Sequence, residues 1–314
     1  VKPLLALFEC EPDGKEVVVA TATVTVVDKH GQPLRADPEP GAEGEKLPSP
    51  VFPAHLKYPP RPAPPGPPTG APPGKAGGPW VRSCIAEALG RLGDKAASDA
   101  LIAALGSRSY STRRKVAAAL GELAEARAAE PLMGLIRDPE PTVRSAAIEA
   151  LGELKEKRAA ELIAPLLRDR KHAVSRSTAE ALGRIGEKKS VPALLEVLAR
   201  GEYSTARAAA AEALGRIGDK SAVPGLLKAL QARSHAVSAK AAKALFELGE
   251  KRGLDFLVDS LGKAQAPSHN VYHAGRDALV EIGEPAVKPI LAKSVSSREF
   301  RRRGFEALGK IGKP

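Results

Sequence analysis

The sequence is poor in cysteine and in aromatic residues, and it has no long apolar run. Cys10 and Cys84 are its only cysteines, which excludes a disulfide framework and a Cys-x-x-Cys metal motif. A membrane-spanning helix needs about twenty apolar residues in a row, and no apolar stretch of the sequence approaches that length. Phe, Trp and Tyr together make up 4% of the chain, so few rings are present to stack on nucleic-acid bases. The chain begins at Val1 rather than Met, and we expect it to be processed or cut from a longer protein.

Composition divides the chain into two parts. Residues 1–80 contain most of the prolines and carry a net charge of −1, whereas residues 81–314 carry +12. We therefore expect three segments: a short β-containing segment at 1–47, a Pro-rich linker at 48–79 and a helical region at 80–314. The linker is expected to be an extended spacer. Docking of its proline runs on an aromatic groove of a partner is the alternative.

The N-terminal segment contains one predicted strand, from Lys15 to Asp28, because β-branched residues dominate it. The run V-T-V-V-D-K-H-G-Q-P-L, Val24 to Leu34, resembles the opening strand of immunoglobulin-like and carboxypeptidase-regulatory-like β-sandwich modules. No set of further strands follows, so we expect a hairpin or an added edge strand and not a full sandwich.

The helical region repeats an Ala-Leu pair, usually followed by glycine, at intervals of about thirty-one residues. The leucines are Leu89, Leu120, Leu151, Leu182, Leu214, Leu245, Leu279 and Leu308. Apolar positions eight, four and one residues before each leucine and three after it have helical spacing and define helix B of each unit. A second apolar stripe, with prolines near its start, defines helix A. Pro165 lies deeper in its helix A and is expected to bend it. A period of this length is typical of a solenoid of stacked repeats.

The segment A-L-G-R-I-G-D-K-S-A-V-P-G-L-L-K-A-L, Ala213 to Leu230, and its sister units resemble the short HEAT-like repeats of the phycobilin-lyase type. The resemblance covers residues 80–314. It implies an all-α fold, a right-handed α-solenoid of about eight HEAT-like repeats, with the B helices on its concave side. Similar proteins include scaffolds, bilin-attachment subunits, a deoxyhypusine-hydroxylating enzyme and DNA glycosylases.

Catalytic motifs of these relatives are missing from the sequence. The hydroxylating enzymes bind iron through His-Glu pairs, and none of the six histidines is followed by glutamate. We therefore predict no catalytic residues, no cofactor and no iron. On helix B, an acid two residues before the leucine often faces a base two residues after it, which predicts a solvated face of mixed charge.

Two groups of basic residues are candidates for function. Arginines seven residues before the leucine, such as Arg113 and Arg144, border the buried stripe. We expect them to cap carbonyl groups or an acid such as Asp138 in the turn between helices A and B, with a ligand-binding arginine ladder as the alternative. A basic rim near the starts of the B helices is the second candidate; it consists of Arg113, Arg114, Lys115, Arg170, Lys171, Arg301, Arg302 and Arg303.

The period lengthens to 34 residues between Leu245 and Leu279, which predicts a projecting insertion near Lys263 to His273. His269, His273 and Asp277 have helical spacing and form a weak candidate metal site. Asn270 resembles a helix cap, which would leave His269 outside the helix. We favour the interpretation of this segment as a partner-binding edge; its candidate residues are Arg233, His235, His269, Tyr272 and His273.

These observations favour a non-enzymatic scaffold or adaptor that binds a protein partner through the solenoid surface. A nucleic-acid-binding solenoid that uses the basic rim is the second hypothesis, and an enzyme or lyase subunit of the bilin-lyase or hydroxylase type is the third. We expect a monomer without a membrane span. The sequence assigns neither the partner nor the compartment.

Overall fold

The computed structural model describes residues 6–10, 15–20, 23–27, 57, 59–60, 62, 79–93, 95–262, 269–295 and 298–312. The chain divides into two compact units, residues 1–162 and 163–314. Most of the predicted linker at 48–79, and residues 263–268 of the predicted insertion at 263–273, lie outside the described residues.

The N-terminal segment contains a three-stranded antiparallel sheet in the order β1-β2-β3. The strands are β1 (Ala6–Cys10), β2 (Lys15–Ala20) and β3 (Thr23–Val27). Val18 pairs with Leu7 on one side and with Thr25 on the other. The prediction of a single strand from Lys15 to Asp28 is wrong, because the chain reverses between Ala20 and Thr23. That reversal contains no Gly, Pro, Asn or Asp, so composition alone did not reveal it.

The first unit contains helices α1 to α5 and nearly all of α6. They are α1 (Pro79–Leu92), α2 (Ser98–Ala104), α3 (Tyr110–Glu122), α4 (Ala129–Leu135), α5 (Pro141–Glu153) and α6 (Ala159–Ile163). The odd-numbered helices are the predicted B helices and the even-numbered ones are the A helices. α6 ends at Ile163, and a 3-10 segment, Ala164–Arg168, follows it. At Pro165 the helix thus has 3-10 instead of α geometry, because proline lacks the N–H of the α-helical hydrogen bond, and the expected bend stays a prediction.

The second unit continues the alternation of A and B helices. Its helices are α7 (His172–Ile185), α8 (Val191–Arg200), α9 (Ser204–Ile217), α10 (Val223–Ala229), α11 (His235–Glu247), α12 (Lys251–Gly262), α13 (His269–Ile282), α14 (Val287–Lys293) and α15 (Arg298–Ile311). Every marker leucine lies in an odd-numbered helix, so the described part of the chain contains the eight predicted B helices. The helical region is an all-α solenoid of helical repeats, as the sequence predicts.

The apolar stripes form the core of each unit. In the first unit, Leu105, Leu120 and Leu132 have no exposed surface, and in the second unit the same is true of Leu182, Leu214 and Leu257. Within each unit, neighbouring helices pack on one another around these leucines, for example α3 on α5 and α7 on α9. Since a repeat alone cannot cover this stripe, stacking provides the burial.

Glycines after the marker leucines allow neighbouring B helices to approach closely. A Cβ atom added at Gly183 would lie 2.8 Å from the Cα of Ala213, and one at Gly121 would lie 2.9 Å from the Cα of Ala150. The Ala and the Gly of the recurring signature therefore form one contact, in which the glycine of one repeat packs on the alanine of the next.

B helices commonly end with a residue in the left-handed conformation, at the fourth position after the marker leucine. Gly186 has a φ of 78° there, but Ala124 and Lys155 occupy the same position with φ values of 48° and 50°. A side chain in this conformation costs about 1–2 kcal/mol.

We expect Lys155→Gly to raise the free energy of unfolding by about 1 kcal/mol, because glycine removes that steric cost. Lys155 is exposed, so no packing is lost. Gly186→Ala is the matched control and should lower stability. Urea unfolding followed by circular dichroism measures both, and a destabilised Lys155→Gly would contradict this account of the turn.

Candidate functional site

The arginines seven residues before the marker leucines are part of the fold. Arg113 is 4% exposed, and its Nε and Nη2 atoms donate to the two carboxylate oxygens of Asp138 at 2.8 and 2.9 Å. Its Nη1 donates to the carbonyl oxygens of Ser107 and Arg108, each at 2.9 Å. The predicted capping role is confirmed, including the choice of Asp138 as the acid.

Only some residues of the predicted basic rim are exposed to solvent. Arg113 and Arg303 are buried, so their assignment to an exposed rim was wrong. Arg303 lies over the ring of Tyr272, with its guanidinium carbon 5.4 Å from the ring centre. Both residues share the inner side of helix B with the apolar stripe. The exposed rim residues are Arg114, Arg170, Lys171, Arg301 and Arg302, whereas Lys115 is half-buried.

Ion pairs neutralise much of the exposed B-helix charge. Lys115 Nζ lies 2.6 Å from Glu87 Oε2 of the preceding B helix, and Arg91 lies 2.9 Å from the same carboxylate. This hydrogen bond from Lys115 lowers the pKa of Glu87. In the second unit, Arg216 and Lys240 both contact Glu212. The prediction of a face of mixed charge is confirmed at these repeats.

The predicted partner-binding edge is not a continuous surface. Tyr272 is 5% exposed and belongs to the core of the second unit, so the expectation that it projects into solvent was wrong. α13 begins at His269, and the fourth residue of this helix faces inward. The ring of Tyr272 lies 5.1 Å from that of His273, and the guanidinium of Arg276 lies 5.5 Å from the tyrosine ring.

Partner binding by the remaining candidate residues of that edge stays a prediction. Arg233 is exposed, and His235 and His273 are half-buried. Asn270 lies inside α13 and not before it, so the expected cap at Asn270 was wrong. The side chain of His269 lies outside the described residues. Asp277 is exposed and pairs with Arg276 at 2.8 Å.

Metal ligation has no geometric support in the described part of the chain. There, no group of three or more His, Cys, Asp or Glu side chains is arranged to hold a metal ion. In the same residues, no helix is both long enough and apolar enough to cross a membrane.

Exposed apolar side chains concentrate at the last two described helices. Phe305 of α15 is 55% exposed, Val295 after α14 is 78% exposed and Leu291 of α14 is 45% exposed. We call these three residues the end face. Phe305 stands three residues before its marker leucine, where the first six repeats have a buried alanine or isoleucine. A bulky aromatic residue in this column was the available sequence signal, and sequence reasoning missed it.

Basic side chains accompany the end face. Arg298, Arg301 and Arg302 of α15 are exposed. Glu306, an acid on the same helix, already accepts a hydrogen bond from Arg276 at 3.0 Å. The end face therefore combines apolar area with positive charge.

Each unit has a cleft lined by described residues. In the first unit, Lys57 and Pro59 of the proline-rich segment line a cleft of about 290 Å³ together with Glu130, Met133 and Arg158. This part of the linker therefore lies against α4 and its neighbours. In the second unit, a cleft of about 190 Å³ opens beside Ser175, between two successive turns that join helix A to helix B.

Three solved structures show what this chain is similar to. The complex of CpcE and CpcF of phycocyanin lyase from Nostoc sp. PCC7120 has 21% identity and a TM-score of 0.49, and the match covers 78% of this chain and 98% of that one. Human deoxyhypusine hydroxylase in complex with glycerol has 23% identity and a TM-score of 0.32, with 74% and 90% covered. Kap121p bound to Pho4p has 16% identity and a TM-score of 0.43, with 74% and 29% covered.

A comparison with curated protein sequences gives no match. The family model of HEAT repeats matches residues 75–141, 132–215 and 192–270, which together make up more than half of the chain. These matches contain six of the eight Ala-Leu pairs and the buried contact of Arg113 with Asp138. The chain belongs to the family of HEAT-repeat proteins.

Proposed function

We propose that this chain is a non-enzymatic scaffold or adaptor that binds a protein partner through the end face. The observation that carries the proposal is the exposure of Leu291 on α14, Val295 just after α14 and Phe305 on α15, three apolar side chains on successive elements of the chain. Apolar groups exposed in one region are typical of an interaction surface, whereas single exposed apolar residues are common and carry no such meaning.

The charge around the end face favours an acidic partner. Arg298, Arg301 and Arg302 would attract carboxylates and speed association. Phe305 would supply the central apolar contact, since aromatic residues and arginines dominate the binding energy of protein interfaces. The partner that fits is an amphipathic segment with apolar residues on one side and Asp or Glu beside them.

Nucleic-acid binding is the alternative, and the net charge of +11 favours it. Many cations are already paired, however. Arg127 contacts Asp99 at 2.9 Å, Arg158 contacts Glu130 at 3.6 Å and Arg168 contacts Glu196. Phosphate binding would have to compete with these carboxylates, which makes protein binding the better-supported function.

Peptide selection tests the proposal because it requires no assumption about the identity of the partner. Random 16-residue peptides are selected on the immobilised full chain, and enriched peptides are titrated against the chain and against Phe305→Asp. We expect sequences that combine Asp or Glu with Leu or Phe at helical spacing, and an affinity loss of about tenfold or more in the variant. The melting temperature should stay near that of the parent, because Phe305 is more than half exposed.

Tyr110→Asp is the matched control, because Tyr110 is also an exposed aromatic residue, 46% exposed, but lies in the first unit. It should leave peptide binding unchanged. Enriched peptides without acidic residues, or equal binding to Phe305→Asp, would contradict the proposal. A duplex DNA that binds more tightly than any selected peptide, with affinity falling steeply as salt rises, would favour the alternative instead.

A further inference from the structure

The arginine column described above has a regular contact with the turn that precedes each B helix. Arg144 Nη1 donates to the carbonyl oxygens of Asp138 and Pro139 at 2.9 and 3.2 Å, just as Arg113 does one repeat earlier. Arg207 Nε donates to the carbonyl oxygen of Leu198 at 2.9 Å. Arg301 Nε donates to the carbonyl oxygen of Ser294 at 3.3 Å, so in four described repeats a guanidinium group of the chain lies beside this turn.

Ser175 stands in the same column in the repeat of α7. It is 2% exposed, and its hydroxyl donates to the carbonyl oxygen of Leu167 at 2.6 Å. Serine makes this one hydrogen bond but lacks the length and volume of arginine. The cleft of about 190 Å³ opens at this position, with Ser175 in its wall.

The other walls of the cleft come from the following repeat. Gly201 lies at the end of α8, and a Cβ atom added there would approach the carbonyl oxygen of Val197 to 2.6 Å. No larger residue fits at 201, so no side chain from this position closes the cleft. Tyr203 supplies an aromatic wall, and its hydroxyl donates to the carbonyl oxygen of Arg170 at 2.7 Å.

The charged groups of the cleft favour a cationic ligand slightly. Three acids line it, Asp169, Glu196 and Glu202, against two bases, Arg168 and Arg200. Arg168 is engaged with Glu196, and this hydrogen bond lowers the pKa of Glu196, so that the glutamate stays ionised. Glu202 is exposed at one side of the cleft.

We propose that this cleft receives an arginine side chain of a protein partner, in the place that the chain's own arginines occupy in other repeats. A guanidinium group can stack on an aromatic ring and donate to carbonyl and carboxylate oxygens at the same time, which matches Tyr203, Glu202 and the turn. The ligand belongs to a protein, as in the proposed function, but the cleft lies on α7 to α9 and not on the end face.

A short peptide tests this cleft independently of the end face. The probe is acetyl-Gly-Arg-Gly-amide, titrated into the isotopically labelled full chain and followed by amide chemical shifts. We expect the largest shifts at Ser175, Gly201 and Tyr203. The same peptide with citrulline, which has the shape of arginine without its charge, should bind about tenfold more weakly or not at all.

Ser175→Arg supplies the guanidinium from within the chain. We expect this variant to lose the peptide-induced shifts and to keep or raise the melting temperature. Glu202→Lys is the second variant; because residue 202 is exposed, it should fold normally and bind the arginine peptide several-fold more weakly. Ser238→Arg, the same change in the same column two repeats later, is the matched control and should leave the shifts at Ser175 unchanged.

Several results would overturn the proposal. Equal shifts with the arginine and citrulline peptides would show that charge is not recognised. Full peptide binding by both Ser175→Arg and Glu202→Lys would show that the peptide binds elsewhere. Whether Phe305→Asp loses binding of the selected peptides does not affect the titration of the cleft with the arginine peptide. The proposal for the cleft and the proposal for the end face can therefore be contradicted independently.

Discussion

Replacing Arg113 with alanine is expected to lower the free energy of unfolding of the first unit by about 3–5 kcal/mol. The substitution removes two hydrogen bonds to Asp138 and two to backbone carbonyl groups. Asp138 has no exposed surface, so its carboxylate would remain buried after losing its charged partner. The carboxylate would keep the hydrogen bond from the backbone N–H of Glu140 at 3.0 Å, but removing one member of a buried ion pair costs far more than the pair itself contributes.

Urea unfolding, together with hydrogen exchange of the amides in α3, α4 and α5, measures this effect locally. Local measurement matters because repeat proteins do not always unfold in a single step. Arg114→Ala is the matched control: Arg114 is the next residue and carries the same charge, but it is exposed. An equal loss of stability in both variants would show that the Arg113–Asp138 contact has no special importance.

The sequence was sufficient for the repeat architecture because every repeat presents the same apolar spacing. Eight Ala-Leu pairs indicated eight B helices, and the arginines that border the stripe indicated contacts to Asp138. Each of these predictions depends on residues of one repeat or of its direct neighbour. Because the pattern occurs in eight repeats, one irregular residue does not change the assignment of helices A and B.

The sequence was insufficient where one position departs from its column. Tyr272 replaces an arginine or serine, and its polar hydroxyl and its place near an insertion suggested exposure. The structure buries it between the guanidinium groups of Arg276 and Arg303. At Tyr272, column position and not local polarity was the reliable guide. At Phe305 the column misleads, because its first six members are buried alanines or isoleucine, whereas Phe305 is 55% exposed.

Small residues on the B helices indicate close packing, but the sequence alone did not show which residue of the next repeat faces each glycine. Gly183 meets Ala213, and Gly215 meets Ala244 in the following pair. In the next two repeats, Phe246 and Val280 replace the glycine. These are the two repeats that flank the irregular interval of 34 residues.

Gly183→Ala is expected to lower the free energy of unfolding of the second unit by about 1–3 kcal/mol, although alanine is the better helix former by about 1 kcal/mol. The added Cβ atom would lie 2.8 Å from Cα and 2.9 Å from Cβ of Ala213. Neither atom can move without a shift of the whole of α9, so the helices must separate and lose contacts along their length.

Gly309→Ala is the matched control, because Gly309 follows the marker leucine of α15 in the same register. A Cβ atom added there meets nothing within 4 Å, so only the helix propensity changes, and we expect stability to rise by about 0.5–1 kcal/mol. Urea unfolding of the full chain, with hydrogen exchange in α7, α9 and α15, gives both values. Opposite signs for the same substitution at equivalent positions would confirm that the glycine of the signature is selected by packing between repeats. A stabilised Gly183→Ala would contradict the close contact between α7 and α9.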